Sequence, residues 1–272
     1  MKYFYQKKVY ITGGSSGIGL EAASILASYG ASVAIFGRDK DKLEDARAKI
    51  EAKKIDQNQK IFTLQMDVSD HNDVMEKMQK AAKEFGIPDI VINSAGMGHS
   101  DYFENITYDT FDRVILTNLH GTRNVVSAVL PFMKKKGGHI VNVSSMLGLI
   151  GLFGYSAYST SKFALVGFSE CLRSELRRYD IHVSVFCPPE VDTPMTDLML
   201  KTSPPETRAL VHMTGVLTPE RTARILLDGI RKKRFLIIAG FLSKWTYLNK
   251  RYFPLLVQWV MDMVVKHAAK DK

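Results

Sequence analysis

Cysteine is nearly absent: only Cys171 and Cys187 occur in 272 residues, too few for a disulfide framework or a thiolate metal site. That usage predicts a reducing compartment. The seven histidines are scattered singly, so no metal site is expected, and His120, His139 and His182 are assigned to the surface or to strand ends. No apolar run reaches 18 residues, and Met1 to Lys8 carries charge without an apolar core or a cleavage site. A membrane span and a secretory signal are therefore not expected, and a cytoplasmic protein is. Internal repeats, Gly/Ser linkers and low-complexity tracts are also missing.

Acidic residues are scarce at one end. From Arg231 to Lys272 ten Lys/Arg stand against two acids, Asp262 and Asp271, while the whole chain has a net charge of +9. Residues 1–230 are therefore almost neutral, which argues against a nucleic-acid face on the main body. What is plentiful is apolar content, 46% of residues, enough for a full core.

Short runs of β-branched and apolar residues, at 9–12, 32–36, 61–66, 90–93, 139–144, 182–186 and 235–238, alternate with helical periodicity at 17–29, 40–54, 71–85, 108–134, 156–178 and 219–232. This alternation predicts βαβ units and an α/β fold: a single Rossmann-type domain over 1–240, a doubly wound parallel sheet of about seven strands with helices on both faces. Residues 241–272 are set apart as an amphipathic, basic C-terminal extension. In such a fold ligands bind beyond the carboxyl ends of the strands.

Directly after the first run stands Thr12-Gly13-Gly14-Ser15-Ser16-Gly17-Ile18-Gly19, opening a helix. Glycines there let the backbone approach a pyrophosphate and aim helix N–H groups at it; a tight turn without ligand is the alternative. The second run ends Phe36-Gly37-Arg38, with no carboxylate to take the ribose hydroxyls and Lys42 one turn on. That favours a 2′-phosphate, hence NADPH/NADP+, over a merely solvated helix start. Tyr158 and Lys162 lie one helical turn apart; a second Tyr-x-x-x-Lys, Tyr3/Lys7, lacks the context of Ser145 thirteen residues upstream and of Asn118.

Taken together, Thr12-Gly13-x-x-x-Gly17-x-Gly19, Asp67-Val68, Asn93-Ser94-Ala95-Gly96, Asn118, Ser144-Ser145, Tyr158-x-x-x-Lys162 and Pro188 to Thr193 resemble the short-chain dehydrogenases/reductases over about residues 7–240. Ser94 departs from the family's usual Asn, and Pro189 from its usual Gly. The resemblance implies hydride transfer to a ketone with Tyr158 as general acid. Its phenol is expected to be lowered by the Lys162 ammonium, which also holds the nicotinamide ribose. Ser145 would bind the substrate oxygen, and Asn118 would fix a water and the backbone near Lys162. Gly13, Ser15, Ser16, Gly17, Ile18 and Gly19 would cradle the pyrophosphate, Arg38 and Lys42 the 2′-phosphate, and Asp67 and Val68 the adenine. Asn93, Ala95 and Gly96 would line the cofactor, and Pro188, Val191 and Thr193 would hold the carboxamide end. Family resemblance also implies a dimer or tetramer through 108–134 and 156–178.

Within the family, Gly151 to Tyr158, Pro188-Pro189-Glu190-Val191-Asp192-Thr193-Pro194 and Pro205-Glu206-Thr207-Arg208 are most similar to 3-ketosphinganine reductases, which implies a lipidic ketone as substrate and Glu190 as candidate receptor for its amino group. A hydroxysteroid or other long-chain alcohol oxidoreductase, and a non-catalytic NADPH-sensing module, are the rivals. Residues 194–218, rich in Met and Leu, are expected either to close as a lid or to form two short helices completing the core. In the tail, Gln258, Asp262 and Lys266 make one polar stripe on an otherwise apolar helix bearing Trp259, with Lys244, Lys250, Arg251 and Lys270 nearby. This predicts peripheral contact with the cytosolic face of a membrane, or else a helix packed on the sheet or across a dimer interface.

Overall fold

A computed structural model describes residues 2–211 and 215–269 of the chain. Val- and Ile-rich segments form β1 (Lys8–Thr12), β2 (Ser32–Gly37), β3 (Ile61–Gln65), β4 (Ile90–Asn93), β5 (Gly138–Val143), β6 (Ile181–Cys187) and β9 (Leu236–Ile238) of one sheet in the order β3-β2-β1-β4-β5-β6-β9. Every pairing is parallel. Such strands need apolar cover on both faces. One face packs on α1 (Gly17–Ser28), α2 (Lys40–Glu51) and α9 (Pro219–Arg231) through Leu26, Leu43, Ile50 and Leu226. The other packs on α3 (His71–Glu84), α5 (Gly121–Met133) and α6 (Ser156–Leu176) through Val74, Val125, Val129 and Leu172.

The strand order reverses between β1 and β4, and the register puts their ends level: Thr12 pairs with Phe36 and with Asn93, and Asn93 with Asn142. The crevice of a doubly wound sheet opens at this point. Two of the helices that follow the strands, α2 and α3, are capped by the residues their sequences supply. Asp39 accepts from Lys42 N–H and Asp70 from Asn72 and Asp73 N–H, each cap contributing about 1 kcal/mol.

Three expectations are revised. The single helix over 108–134 is α4 (Tyr108–Ile115), a π-helical turn Leu116–His120 and then α5. The wider turn brings Asn118 to full burial, where its side chain bonds the Met97 backbone and Ser161; such bulges trade helix regularity for the aim of one side chain. His139 sits at the start of β5, the strand-end alternative, but it is buried rather than superficial. Its Nε2 donates to Ser184 Oγ at 2.7 Å, because the Ser184 proton is committed to the Arg234 carbonyl; burial holds its pKa down to about 3. His120 is exposed and His182 half-buried.

The third revision concerns the segment between β6 and α9 and the segment after β9, while α9 and β9 themselves lie where the pattern puts them. Glu190–Val191 (β7) pairs with Val216–Leu217 (β8) in a separate two-stranded ladder. Between them lie α7 (Pro194–Thr202) and α8 (Pro205–Val211), so the segment takes the two-helix form; Met213 falls outside the described residues. The tail is two helices, α10 (Phe241–Tyr252) and α11 (Pro254–Ala268), and α11 packs on α8 and α10, not on the sheet. Lys270 lies outside the described residues. Among them, no helix is long and apolar enough to cross a membrane.

Candidate active site

Beyond the carboxyl ends of β1, β4, β5 and β6 lies a cavity of about 540 Å³, within the range of small-molecule sites. Its floor is the first turn of α1 with the loop after β4. Gly13 and Gly17 have φ of +67° and +52°, in the left-handed region that glycine adopts without strain. A Cβ on Gly13 would lie 2.8 Å from the Ala95 backbone, so only hydrogen fits where the two loops meet. The Ala95 N–H donates to Thr12 Oγ1 at 3.2 Å, fixing that approach. Ser16, the N-cap of α1, has extended backbone and no side-chain bond to the helix. It lines the cavity with Gly13, Gly17, Ile18, Ala95 and Gly96. A glycine floor at a helix N-terminus suits a pyrophosphate, so the residues present fit a nicotinamide dinucleotide.

The inner wall carries the reactive set. Ser145 follows β5 and caps the short turn Met146–Gly148, its Oγ accepting from Leu147 N–H at 3.1 Å. Tyr158 and Lys162, on the first turns of α6, are buried with it. The Tyr158 hydroxyl is within hydrogen-bonding reach of Ser145, yet burial outweighs that bond and raises the phenol above its ordinary value. The expected depression by Lys162 is not what the side chains arrange. Lys162 Nζ stands 5.5 Å from the Tyr158 ring centroid and donates to the Val143 carbonyl at 2.9 Å. Its own pKa is pushed down to about 8 by burial, since a dry site penalises any charge. Asn118 sits behind, joined through Ser161 to the Tyr158 carbonyl.

The remaining predicted residues divide by place. Pro188, Val191 and Thr193 line the cavity, and Thr193 also caps α7. Asn93 does not line it: its Nδ2 donates to Asn142, which in turn donates to Ser169, in a buried chain under the sheet. Asp67 accepts from Ser69 at the end of β3, and Val68 is buried against Gly121. Arg38 and Lys42 are exposed beyond β2. Lys42 is shared with Asp39 at 3.6 Å, a carboxylate that lies just past Arg38. Ser15 Oγ lies beside Gly37, and Gly19 is buried against Gly13.

The short chain dehydrogenase family profile matches residues 7–203. The chain belongs to that family. Membership makes it an oxidoreductase of a nicotinamide dinucleotide. This family member is 39% identical over 226 residues to a 3-ketodihydrosphingosine reductase of Bos taurus, covering 82% of this chain and 68% of the bovine one. It is 38% identical over 221 residues to a 3-dehydrosphinganine reductase of Danio rerio, covering 80% and 67%. To a 3-oxoacyl-[acyl-carrier-protein] reductase of Chlamydia muridarum it is 34% identical over 222 residues, covering 81% and 88%. A short chain dehydrogenase/reductase of Burkholderia phymatum solved with NAD shares the fold, with TM-score 0.82 at 24% identity over 94% of this chain and 96% of that one.

The family pattern does not account for the outer wall. Met195 and Met199 of α7, Leu210 and Val211 of α8, and Val260 and Met261 of α11 close the cavity opposite Tyr158. α8 is anchored there: Tyr102 donates to Glu206 Oε2 at 3.0 Å and Thr207 to the Phe153 carbonyl at 3.0 Å. The expectation for residues 194–218 covered Met195, Met199 and Val211, and that for Pro205–Arg208 the start of α8, but neither included the partnership with α11. The half-buried positions Val257, Val260, Met261 and Val264 fall at i, i+3, i+4 and i+7, a spacing that could have revealed it.

Proposed function

We propose that the protein reduces a lipidic ketone, 3-ketosphinganine in preference, to the alcohol, using NADPH. The observation that carries the reading is an apolar cavity walled by Met, Leu and Val side chains, with Tyr158, Ser145 and Lys162 at its inner end and a single carboxylate, Glu190, among its described lining residues. The bound nicotinamide dinucleotide supplies the hydride. Ser145 hydrogen-bonds the ketone oxygen and holds it at the Tyr158 hydroxyl. Tyr158 then gives its proton to that oxygen as negative charge develops there. Burial keeps the phenol protonated at neutral pH, the form an acid must have. Lys162, held on the Val143 carbonyl, keeps a positive charge 5.5 Å from the Tyr158 ring centroid as the proton leaves, and Asn118, by bonding the Met97 backbone and Ser161, keeps the β4 loop registered on α6. Glu190 attracts the ammonium of a sphingoid ketone, a role that a steroid or acyl ketone does not need.

The exposed cation Arg38, which follows β2, and Ser15, whose Oγ lies beside Gly37, support the choice of NADPH, since a 2′-phosphate would lie past the end of β2. Residues 1–240 form the reductase unit and 241–272 an extension that completes its cavity. Exposed Tyr108 and Leu116 near α4 and Phe163 on α6 support self-association through those helices, and the working location is the cytoplasm. The deciding experiment follows NADPH oxidation by the purified protein given 3-ketosphinganine in detergent, beside NADH, a steroid ketone, a 3-oxoacyl thioester and Tyr158→Phe. Turnover with the sphingoid ketone that drops about 10²- to 10⁴-fold in Tyr158→Phe supports the reading. Equal or faster turnover of the steroid or acyl ketone moves the substrate class, and inert ketones with intact NADPH binding leave a nucleotide sensor.

A further inference from the structure

The α10–α11 pair is apolar on both sides. Inward, Leu242, Val257, Val260 and Met261 line the cavity that holds Tyr158. Outward, Phe241, Tyr252, Phe253, Leu255, Trp259 and Met263 are 83, 68, 60, 78, 58 and 50% exposed. A helix pair finishing a water-soluble domain carries polar residues on its outer face, and a contiguous apolar patch of this kind marks an interaction surface.

The charges around the patch say what it meets. Lys244, Lys250, Arg251 and Lys266 lie on the two helices with Asp262 as the one acid between 241 and 269. On the other flank of α10 a second cavity, about 690 Å³, is bordered by Arg221, Arg234 and Lys244 together with Phe241 and Leu248. Its remaining charges are engaged: Arg224 pairs with Glu220, and Asp228 with Arg231 and Lys232. Hydrocarbon contact rimmed by cations matches the boundary of an anionic leaflet, where apolar side chains enter below the headgroups and basic ones meet phosphates. A second copy of this chain fits worse, because a two-fold contact would set one basic rim against the same basic rim.

We infer that α10, α11 and the adjoining basic cleft are a docking surface for an anionic lipid bilayer. Docking there puts the outer wall of the Tyr158 cavity against the membrane, so a lipid ketone enters from the bilayer between α8 and α11; this second clause rests on the reaction proposed above. The chain's two tryptophans, Trp245 and Trp259, both lie on the pair, which makes intrinsic fluorescence a direct reporter.

The test is flotation of the full chain with phosphatidylcholine vesicles, with and without phosphatidylglycerol, alongside tryptophan emission. Expected are co-flotation and a blue shift with anionic vesicles, weakening as salt rises. Leu255→Glu/Trp259→Glu and, separately, Lys250→Glu/Arg251→Glu should each cut partitioning by about tenfold or more, since one cation at the surface is worth roughly a fivefold factor. Turnover of a short-chain, water-soluble ketone should stay unchanged in both variants, which also shows that they fold. A chain that never floats overturns the docking surface, as does a dimer that Leu255→Glu/Trp259→Glu dissociates without any vesicle binding. Flotation reads docking without turnover, so inert ketones overturn the reaction and leave the surface standing. Turnover in detergent without flotation does the reverse.

Discussion

Lys162 gives the sharpest test of the site's electrostatics. Its ammonium is buried, and desolvation brings its pKa from the ordinary 10.5 to about 8. A base whose folded pKa is depressed binds its proton less readily in the native than in the unfolded chain. Between about pH 8 and 10.5 the unfolded chain therefore holds more protons, and stability rises with pH across that window. At neutral pH the buried charge costs about 3 kcal/mol, and roughly 2 kcal/mol of this is recovered by pH 9.5. Lys162→Met removes the titration while keeping most of the stem, although it also leaves the Val143 carbonyl without its 2.9 Å donor, a loss of about 1–3 kcal/mol that does not depend on pH. The assay is urea unfolding of both proteins at pH 7, 8, 9 and 9.5. The stability of the natural chain relative to Lys162→Met should climb by about 2 kcal/mol over that range. Shared titrations such as the raised Tyr10 phenol cancel in the difference. A difference flat to within about 0.5 kcal/mol would refute the reasoning, whatever the sign of the offset at pH 7. Reduction by Lys162→Met should be lost at every pH, and that of the natural chain should decline above about pH 8 as the ammonium is neutralised.

Other consequences are simpler to read. Arg38→Ala should weaken NADPH binding about 10- to 100-fold with little change for NADH, the range of a charge-assisted phosphate contact; equal losses for the two, by titration calorimetry, would remove Arg38 from the 2′-phosphate. His139, held down to about 3, stays neutral in the fold while the unfolded chain protonates below about pH 6.5, so stability should fall on acidification by about 3 kcal/mol between pH 7 and 4. In His139→Gln that share of the acid slope should vanish in unfolding curves. Gly13→Ala adds a Cβ 2.8 Å from the Ala95 backbone at a φ of +67°, and a melting scan should show a loss of about 1–3 kcal/mol together with weakened dinucleotide binding.

The parallel sheet was legible because its strands are short, β-branched and apolar throughout, a pattern that demands cover on both faces, and six of the helix segments announced themselves by period. Ser145, Tyr158, Lys162 and Asn118 were legible through their joint resemblance to the family pattern, and the fold brings them to one end of the sheet. What the pattern could not carry were effects that depend on burial. Local spacing puts a lysine one turn from a tyrosine and suggests a depressed phenol, but only packing reveals that Lys162 is spent on Val143 and that desolvation governs both groups. The π-helical turn escaped because the wider turn is set by i→i+5 backbone bonding over only five residues, Leu116–His120, too short a stretch for apolar periodicity to reveal. Asp39 lies one residue past Arg38, and its pairing with Lys42 leaves Arg38 as the cation on which the cofactor choice turns.

The tail shows how far periodicity reaches. The stripe of Gln258, Asp262 and Lys266 is real, and all three are exposed, but a polar stripe between two apolar faces does not say which face is covered. The structure assigns Val257, Val260 and Met261 to the cavity, half-buries Val264 on the same face, and leaves Leu255, Trp259 and Met263 outside. One helix therefore serves as wall of the active site and as exposed apolar surface at once. An element in that position couples access to location: whatever covers its outer face also decides from which medium a ketone can arrive at Tyr158.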